Sequence, residues 1–112
     1  LQALDALGNI LRSRKLYADA VDIYDRAIGM IPKPDRRHWV YFYARGTSYE
    51  RLKNWPPAEA DLKTALDLYP DQPLVLNYLG YSWIDQGINL DQGMKLIERA
   101  VAVKPDDGYI VD

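Results

Sequence analysis

Apolar residues recur on one side of a helix from the start of the chain. Leu4, Leu7 and Leu11 fall at helical spacing, and after a short polar break Ala20, Ile23, Tyr24, Ala27 and Ile28 do so again. The pattern predicts a helix over residues 1–14, a turn at Lys15-Leu16 and a second helix over 18–30. Pro32 and Pro34 stop the second helix, because proline cannot extend the backbone hydrogen-bond ladder. The skeleton returns as Phe42, Gly46, Tyr49, Ala58, Leu62, Ala65 and Pro70, and again as Leu76, Leu79, Gly80, Trp83, Gly93, Ile97, Ala100 and Pro105. From Gly8 to Gly46 is 38 residues and from Gly46 to Gly80 is 34; Ala27 to Ala65 and Ala65 to Ala100 are 38 and 35.

Gly8, Gly46 and Gly80 fall mid-helix, where glycine costs about 1 kcal/mol against alanine. Three such positions in step require an offset, and close approach of a second helix supplies one. Ala20, Ala58 and Gly93 place the matching small residue on that second helix. Leu11, Tyr49 and Trp83, with Tyr24, Leu62 and Ile97, then fill the space around each crossing. Each unit is an antiparallel helix pair that cannot bury its apolar faces alone, so neighbours stack.

A period near 34 with large, small and aromatic residues at these offsets resembles the tetratricopeptide repeat. The resemblance covers residues 1–105 and implies an all-α fold, an α-solenoid of three antiparallel helix pairs wound as a right-handed superhelix. It implies a single domain over residues 1–112, with repeats about 1–34, 39–72 and 73–106 and a further helix starting at 107–112. The chain opens in step with a repeat and carries no initiator Met, which reads as an excerpt of a longer array of bacterial style.

Residues 35–38 lengthen the first period. Asp35 suits an N-cap, so a longer loop or an added turn accounts for them; the alternative is a recognition loop of Arg36, Arg37 and His38. The third helix, about 37–52, carries Trp39, Tyr41, Phe42, Tyr43 and Tyr49 on more than one side. Phe42 and Tyr49 are expected inside, leaving an aromatic for the groove. Arg45 stands where the repeat pattern expects leucine. Either its stem snorkels to water or it pairs with a carboxylate of the neighbouring helix, for instance Asp61. Pro56 and Pro57 open the fourth helix, which runs to about Tyr69. Asp71 is the expected cap of the fifth helix, 72–86, with Gly87 beyond its end. Asn89 and Gln92 have capping-box spacing for the sixth. Lys104 falls in that helix's last turn, and Pro105-Asp106-Asp107-Gly108 before Tyr109-Ile110-Val111 reads as the stop, cap and opening turn of a fourth repeat.

Composition narrows the function. A net charge of −2 gives no basic stripe for nucleic acid. The absence of cysteine excludes a thiol nucleophile or a disulfide frame and suits cytoplasm and periplasm equally. No apolar run approaches the roughly 18 residues of a membrane span. His38 is the only histidine, so neither a metal site nor a Ser-His-Asp arrangement is expected. The glycines are mid-helix and form no phosphate loop. The chain is therefore expected to be non-catalytic and to need no cofactor or metal.

Recognition by shape remains. In tetratricopeptide arrays the first helix of each pair lines the concave face, and by resemblance the groove positions here are Gln2, Asp5, Asn9, Arg12 and Ser13, then Val40, Tyr43, Thr47, Glu50 and Arg51, then Leu74, Asn77, Tyr81, Ile84 and Asp85. Asp5, Asn9, Arg12, Tyr43, Thr47, Glu50, Asn77, Tyr81 and Asp85 are the expected contacts with a peptide or protein segment. The asparagines are suited to grip a peptide backbone and the tyrosines to serve as rigid anchors. Arrays that hold chaperone C-termini use a Lys/Asn, Asn, Lys/Arg clamp. The matching residues here are Asp5, Asn9, Thr47, Asn77 and Tyr81; only Asn9 fits, so that clamp is absent. The other function class is a structural scaffold, stacking on further repeats or self-associating through an exposed end. Met94, Ile97, Ile88 and Val101 or Val103 leave the C-terminal end apolar, to associate or to be crossed by the tail.

Overall fold

The glycine pattern is realised as three helical hairpins. In the computed structural model, which describes residues 1–103, α1 (Gln2–Ser13) pairs with α2 (Tyr17–Gly29), α3 (Trp39–Arg51) with α4 (Trp55–Leu68), and α5 (Pro73–Gln86) with α6 (Leu90–Ala102). A single 3₁₀ turn, Arg36–His38, precedes α3, and no strand occurs among the described residues. The expectations for Lys104, the Pro105–Gly108 stop and the opening turn at 109–111 lie outside the described residues. The chain packs as two units, residues 1–68 and a second beginning at Tyr69.

One turn design closes all three hairpins. At the ends of α1, α3 and α5, Lys15, Lys53 and Gly87 take left-handed φ values of 64°, 63° and 71°. The following N–H reaches back to the last turn: Leu16 to Leu11 O at 2.9 Å, Asn54 to Tyr49 O at 2.9 Å and Ile88 to Trp83 O at 3.0 Å. This is a Schellman closure, which satisfies helix carbonyls that would otherwise lack donors. Only the third hairpin uses the glycine that this conformation favours.

In the first unit α2 packs against both α1 and α3. Ala20, Tyr24 and Ala44 form one buried cluster with Leu11 against it; Ala27, Ile31 and Tyr41 form another, joined by Leu4, Ile28 and Val40. Phe42 is buried as expected, whereas Tyr49 is half-buried. In the second unit Val75, Leu76, Leu79, Trp83 and Ala100 are buried. The mid-helix glycines sit at the crossings. A methyl at Gly46 would lie 3.0 Å from the Asp61 Cβ and 3.2 Å from the Ala58 carbonyl; at Gly80 it would lie 2.8 Å from the Gly93 carbonyl. At Gly8 it would strike the Tyr24 ring at 2.6 Å.

Asp35 does cap an added turn: its carboxylate accepts from the Arg37 N–H at 3.0 Å, and the Asp35 N–H donates to His38 Nδ1 at 2.9 Å. The side chain of Arg37 adds two more bonds and holds the Asp35 carboxyl down at about 2. Two cap expectations are corrected. Gln72, not Asp71, caps α5, its side chain accepting from the Leu74 N–H at 2.6 Å. Asp71 is left-handed (φ 64°) and its carboxylate takes Arg99 of α6 instead. Asn89 stands at the N-cap of α6 but is also left-handed (φ 47°), and its side chain makes no capping bond. A cap side chain reaches the first turn from extended backbone, so no capping box forms with Gln92.

Arg45 pairs. Its Nε and one Nη donate to the two oxygens of Asp61 at 2.8 Å each, and its other Nη donates to Asp25 at 2.9 Å. One guanidinium thereby joins α2, α3 and α4, and the pairing raises its pKa further above the usual arginine value. The Asp61 side chain is only 7% exposed. Arg45→Leu, which restores the repeat's usual residue, should therefore destabilise by about 3–5 kcal/mol, because it strands a buried carboxylate. Adding Asp61→Ala should recover most of that loss in a urea titration. Gly80→Ala should destabilise by about 1–3 kcal/mol despite alanine's better helix propensity, since a fixed carbonyl blocks the methyl. Gly29→Ala, where nothing lies within 4 Å of the added carbon, should be neutral or stabilising by up to about 1 kcal/mol in the same assay.

Candidate functional site

The expected contacts divide between the two units. In the first, α1 and α3 bring Asn9, Arg12 and Thr47 together with Tyr24 of α2. Arg12 Nη1 donates to Thr47 Oγ1 at 3.1 Å, and its Nη2 donates to Asn9 Oδ1 at 3.4 Å. The Tyr24 hydroxyl donates to the same Asn9 oxygen at 2.6 Å. Arginine carries donors only, so its approach fixes the carbonyl end of the amide toward Arg12 and leaves the NH2 end for other partners. Thr47 is only 5% exposed, and its hydroxyl also donates to the Ala44 carbonyl at 2.9 Å. It underpins Arg12 and presents little surface of its own.

Tyr43 is half-buried on α3 with its ring 5.6 Å from that of Trp39. Burial pushes its hydroxyl pKa up, against the opposing pull of the Arg12 charge. Asp5, one turn before Asn9, and Glu50, one turn after Thr47, are half-buried. The Asp5 charge adds to the burial that raises the Tyr24 and Tyr41 hydroxyls. Tyr24 is the member that sequence reasoning left in the core. It is fully buried, and its hydroxyl reaches Asn9, which is itself exposed. A tyrosine at a core position is the signal, because a buried phenol needs a polar partner.

In the second unit Asn77, Tyr81 and Asp85 follow one another at four-residue steps along α5. Asn77 is half-buried and Asp85 exposed, while Tyr81 is 59% exposed, an unusual position for a large ring. Among the described residues no group of His, Cys, Asp and Glu could hold a metal ion, and no helix is long and apolar enough to cross a membrane.

The family model of the tetratricopeptide repeat matches residues 43–108, more than half of the 112. The chain belongs to the tetratricopeptide repeat family. It is similar to Bacteriophage adsorption protein A of Escherichia coli, 30% identical over 92 residues, which are 82% of this chain and 9% of that protein. It is also similar to a TPR repeat-containing protein of Pseudomonas aeruginosa, 31% identical over 62% of this chain and 12% of the relative. The chain thus spans about a tenth of the length of these curated relatives. Among solved structures, the Sgt2 TPR domain from Aspergillus fumigatus superposes with a TM-score of 0.81 at 21% identity, covering 97% of this chain and 69% of that one. The fold is accordingly the all-α tetratricopeptide solenoid, and the family is one of non-catalytic protein-interaction modules.

The Tyr24–Asn9 bond gives a pH test. Burial first, then the Asp5 charge, raise the folded pKa of Tyr24, against an opposing pull from Arg12. The neutral phenol therefore favours the native state; this contribution is complete below the unfolded value of about 10 and is lost as pH rises through the folded one. Tyr24→Phe should lower stability near pH 7 by about 0.5–1.5 kcal/mol. It should also make the fall in stability above pH ~10 shallower, as urea titrations across the alkaline range would show.

Proposed function

We propose that the chain binds an extended peptide or protein segment through the faces that carry the expected contacts. Those faces are Asp5, Asn9 and Arg12 on α1 with Tyr43 and Glu50 on α3, supported by Thr47, and Asn77, Tyr81 and Asp85 on α5. The observation that carries the reading is Tyr81: a ring 59% exposed, flanked by polar residues four positions away on each side. A tyrosine in that setting offers rigid, amphipathic contact with little entropy to lose. Asn9 supports it, since its amide NH2 stays available while its oxygen is held. The acidic balance of the chain argues for a polypeptide partner over nucleic acid.

For peptides selected on the chain from a randomised display library, Tyr43→Ala combined with Tyr81→Ala should weaken binding by about 2 kcal/mol or more. Calorimetric titration with the fold checked by circular dichroism measures this; unchanged affinity moves the site elsewhere.

A second reading, self-association, is favoured by α6. Leu90, Met94 and Val101 are 51%, 51% and 59% exposed. Their counterparts 73 residues earlier on α2 are Tyr17, Val21 and Ile28, buried or half-buried where α2 meets α1 and α3. The fitting occupant is α1 of a second copy, whose Leu7 and Ile10 are exposed in the same way. Light scattering over a concentration series should then show association that Met94→Glu suppresses. A monomer throughout would exclude it.

A further inference from the structure

We infer that the edge formed by the two hairpin tips of the first unit docks on an anionic lipid surface. The tips are residues 13–16, between α1 and α2, and residues 51–54, between α3 and α4, and every residue of both is exposed. They stand on one edge because α1 and α3 run side by side in the same direction. Leu4 of α1 joins the cluster of Val40 and Tyr41 on α3, Leu11 joins that of Ala44, and Arg12 bonds Thr47 at 3.1 Å. Each step along one helix is a step along the other, so both leave the body together.

Positive charge is concentrated there, in a chain whose net charge is −2. No Asp or Glu occurs in residues 12–18 or 51–58, while Arg14, Lys15, Arg51 and Lys53 stand at the turns themselves. Arg14, Lys15 and Lys53 make no ion pair or side-chain hydrogen bond among the described residues. The acids nearest in sequence do little to offset them. Asp19 lies in the first turn of α2, Glu50 is half-buried and partnered, and Glu59 is engaged by the Trp55 indole N–H and by Lys63.

Lys15 and Lys53 also hold the left-handed position of their turns, with φ 64° and 63°, where the third hairpin has Gly87. A lysine there costs free energy that glycine would not, because its Cβ crowds the following carbonyl. Neither side chain returns a bond to the fold, so the retained strain points to a use outside the chain. Beside each lysine is an exposed leucine, Leu16 at 45% and Leu52 at 43%. Headgroup phosphates take the ammonium groups and the acyl boundary takes the leucines, which is how interfacial segments bind. A polynucleotide would satisfy the lysines but give the leucines nothing to bury against. The third hairpin supplies the contrast: it exposes Ile88 and Leu90, yet Asp85 and Asp91 flank it and no cation falls between them.

The test sediments the intact chain with sucrose-loaded vesicles, either of phosphatidylcholine alone or of phosphatidylcholine with phosphatidylglycerol. The chain should bind the anionic vesicles, leave them as salt rises, and ignore the neutral ones. Lys15→Gly with Lys53→Gly should weaken binding about fivefold for each cation removed, and should raise the urea midpoint because the strain is relieved. A folding defect cannot do both. Leu16→Ser with Leu52→Ser should weaken vesicle binding too, without changing whatever affinity heparin, a soluble polyanion, shows. Since the chain has no cysteine, Leu52→Cys and Ile88→Cys each accept a single fluorophore. A nitroxide lipid should quench the first and spare the second. Binding to neither vesicle, equal binding to both, or quenching at the Ile88 position alone overturns the inference. Vesicle binding that needs the lysines, ignores the leucines and is matched by heparin or an acidic peptide also overturns it, and makes the edge a polyanion site.

Discussion

The distance between paired helices, set by glycine, is the constraint from which most of this structure follows. At Gly80 and Gly93 each backbone approaches the other so closely that an added methyl would meet the facing carbonyl within about 3 Å. At Gly8 the space is taken by an aromatic ring. Because α1 has no Cβ there, the Tyr24 ring lies flush against its backbone, and the phenol oxygen reaches Asn9. A packing requirement of the core thus sets a buried phenol oxygen against Asn9 of the candidate binding face. The orientation of Asn9, and through it part of the hold on Arg12, is downstream of a missing side chain.

Two arginines show how similar chemistry is put to different ends. Arg45 is surrounded by acid, with Asp61 bidentate and Asp25 completing the set. Such an arrangement contributes little net stability against an apolar core, yet punishes the loss of either partner. Arg12 is surrounded by neutral acceptors. Its geometry is fixed without its charge being neutralised.

Periodicity made the helix pairs legible from sequence, because the crossing glycines recur in register and no other packing explains three of them. Asp35 and the Arg45–Asp61 pair were legible too, since a capping residue before a polar run and a charge at an apolar position each demand a partner. The caps at Asp71 and Asn89 were not. Both residues take left-handed backbone, a conformation Asn and Asp tolerate as readily as they tolerate N-cap geometry, so residue type alone does not choose between them. Lys15 and Lys53 were equally opaque: hairpin closure imposes the strain there, and local propensity gives no hint of it. On the binding face, the resemblance located Thr47 at a groove position but carried no information on depth. It is buried and accepts a bond from Arg12, 35 residues away in sequence.

The bridge from Arg45 to Asp25 has a consequence for how such a chain can change over generations. Repeats of one family are often treated as interchangeable modules that duplication or recombination can reorder. Here the middle repeat carries a cation whose second counter-charge belongs to the repeat before it. Moved behind a neighbour without an acid at the place of Asp25, it would face a mismatched junction. The bridge thus acts as a key between these two successive modules, written in a single pair of charges.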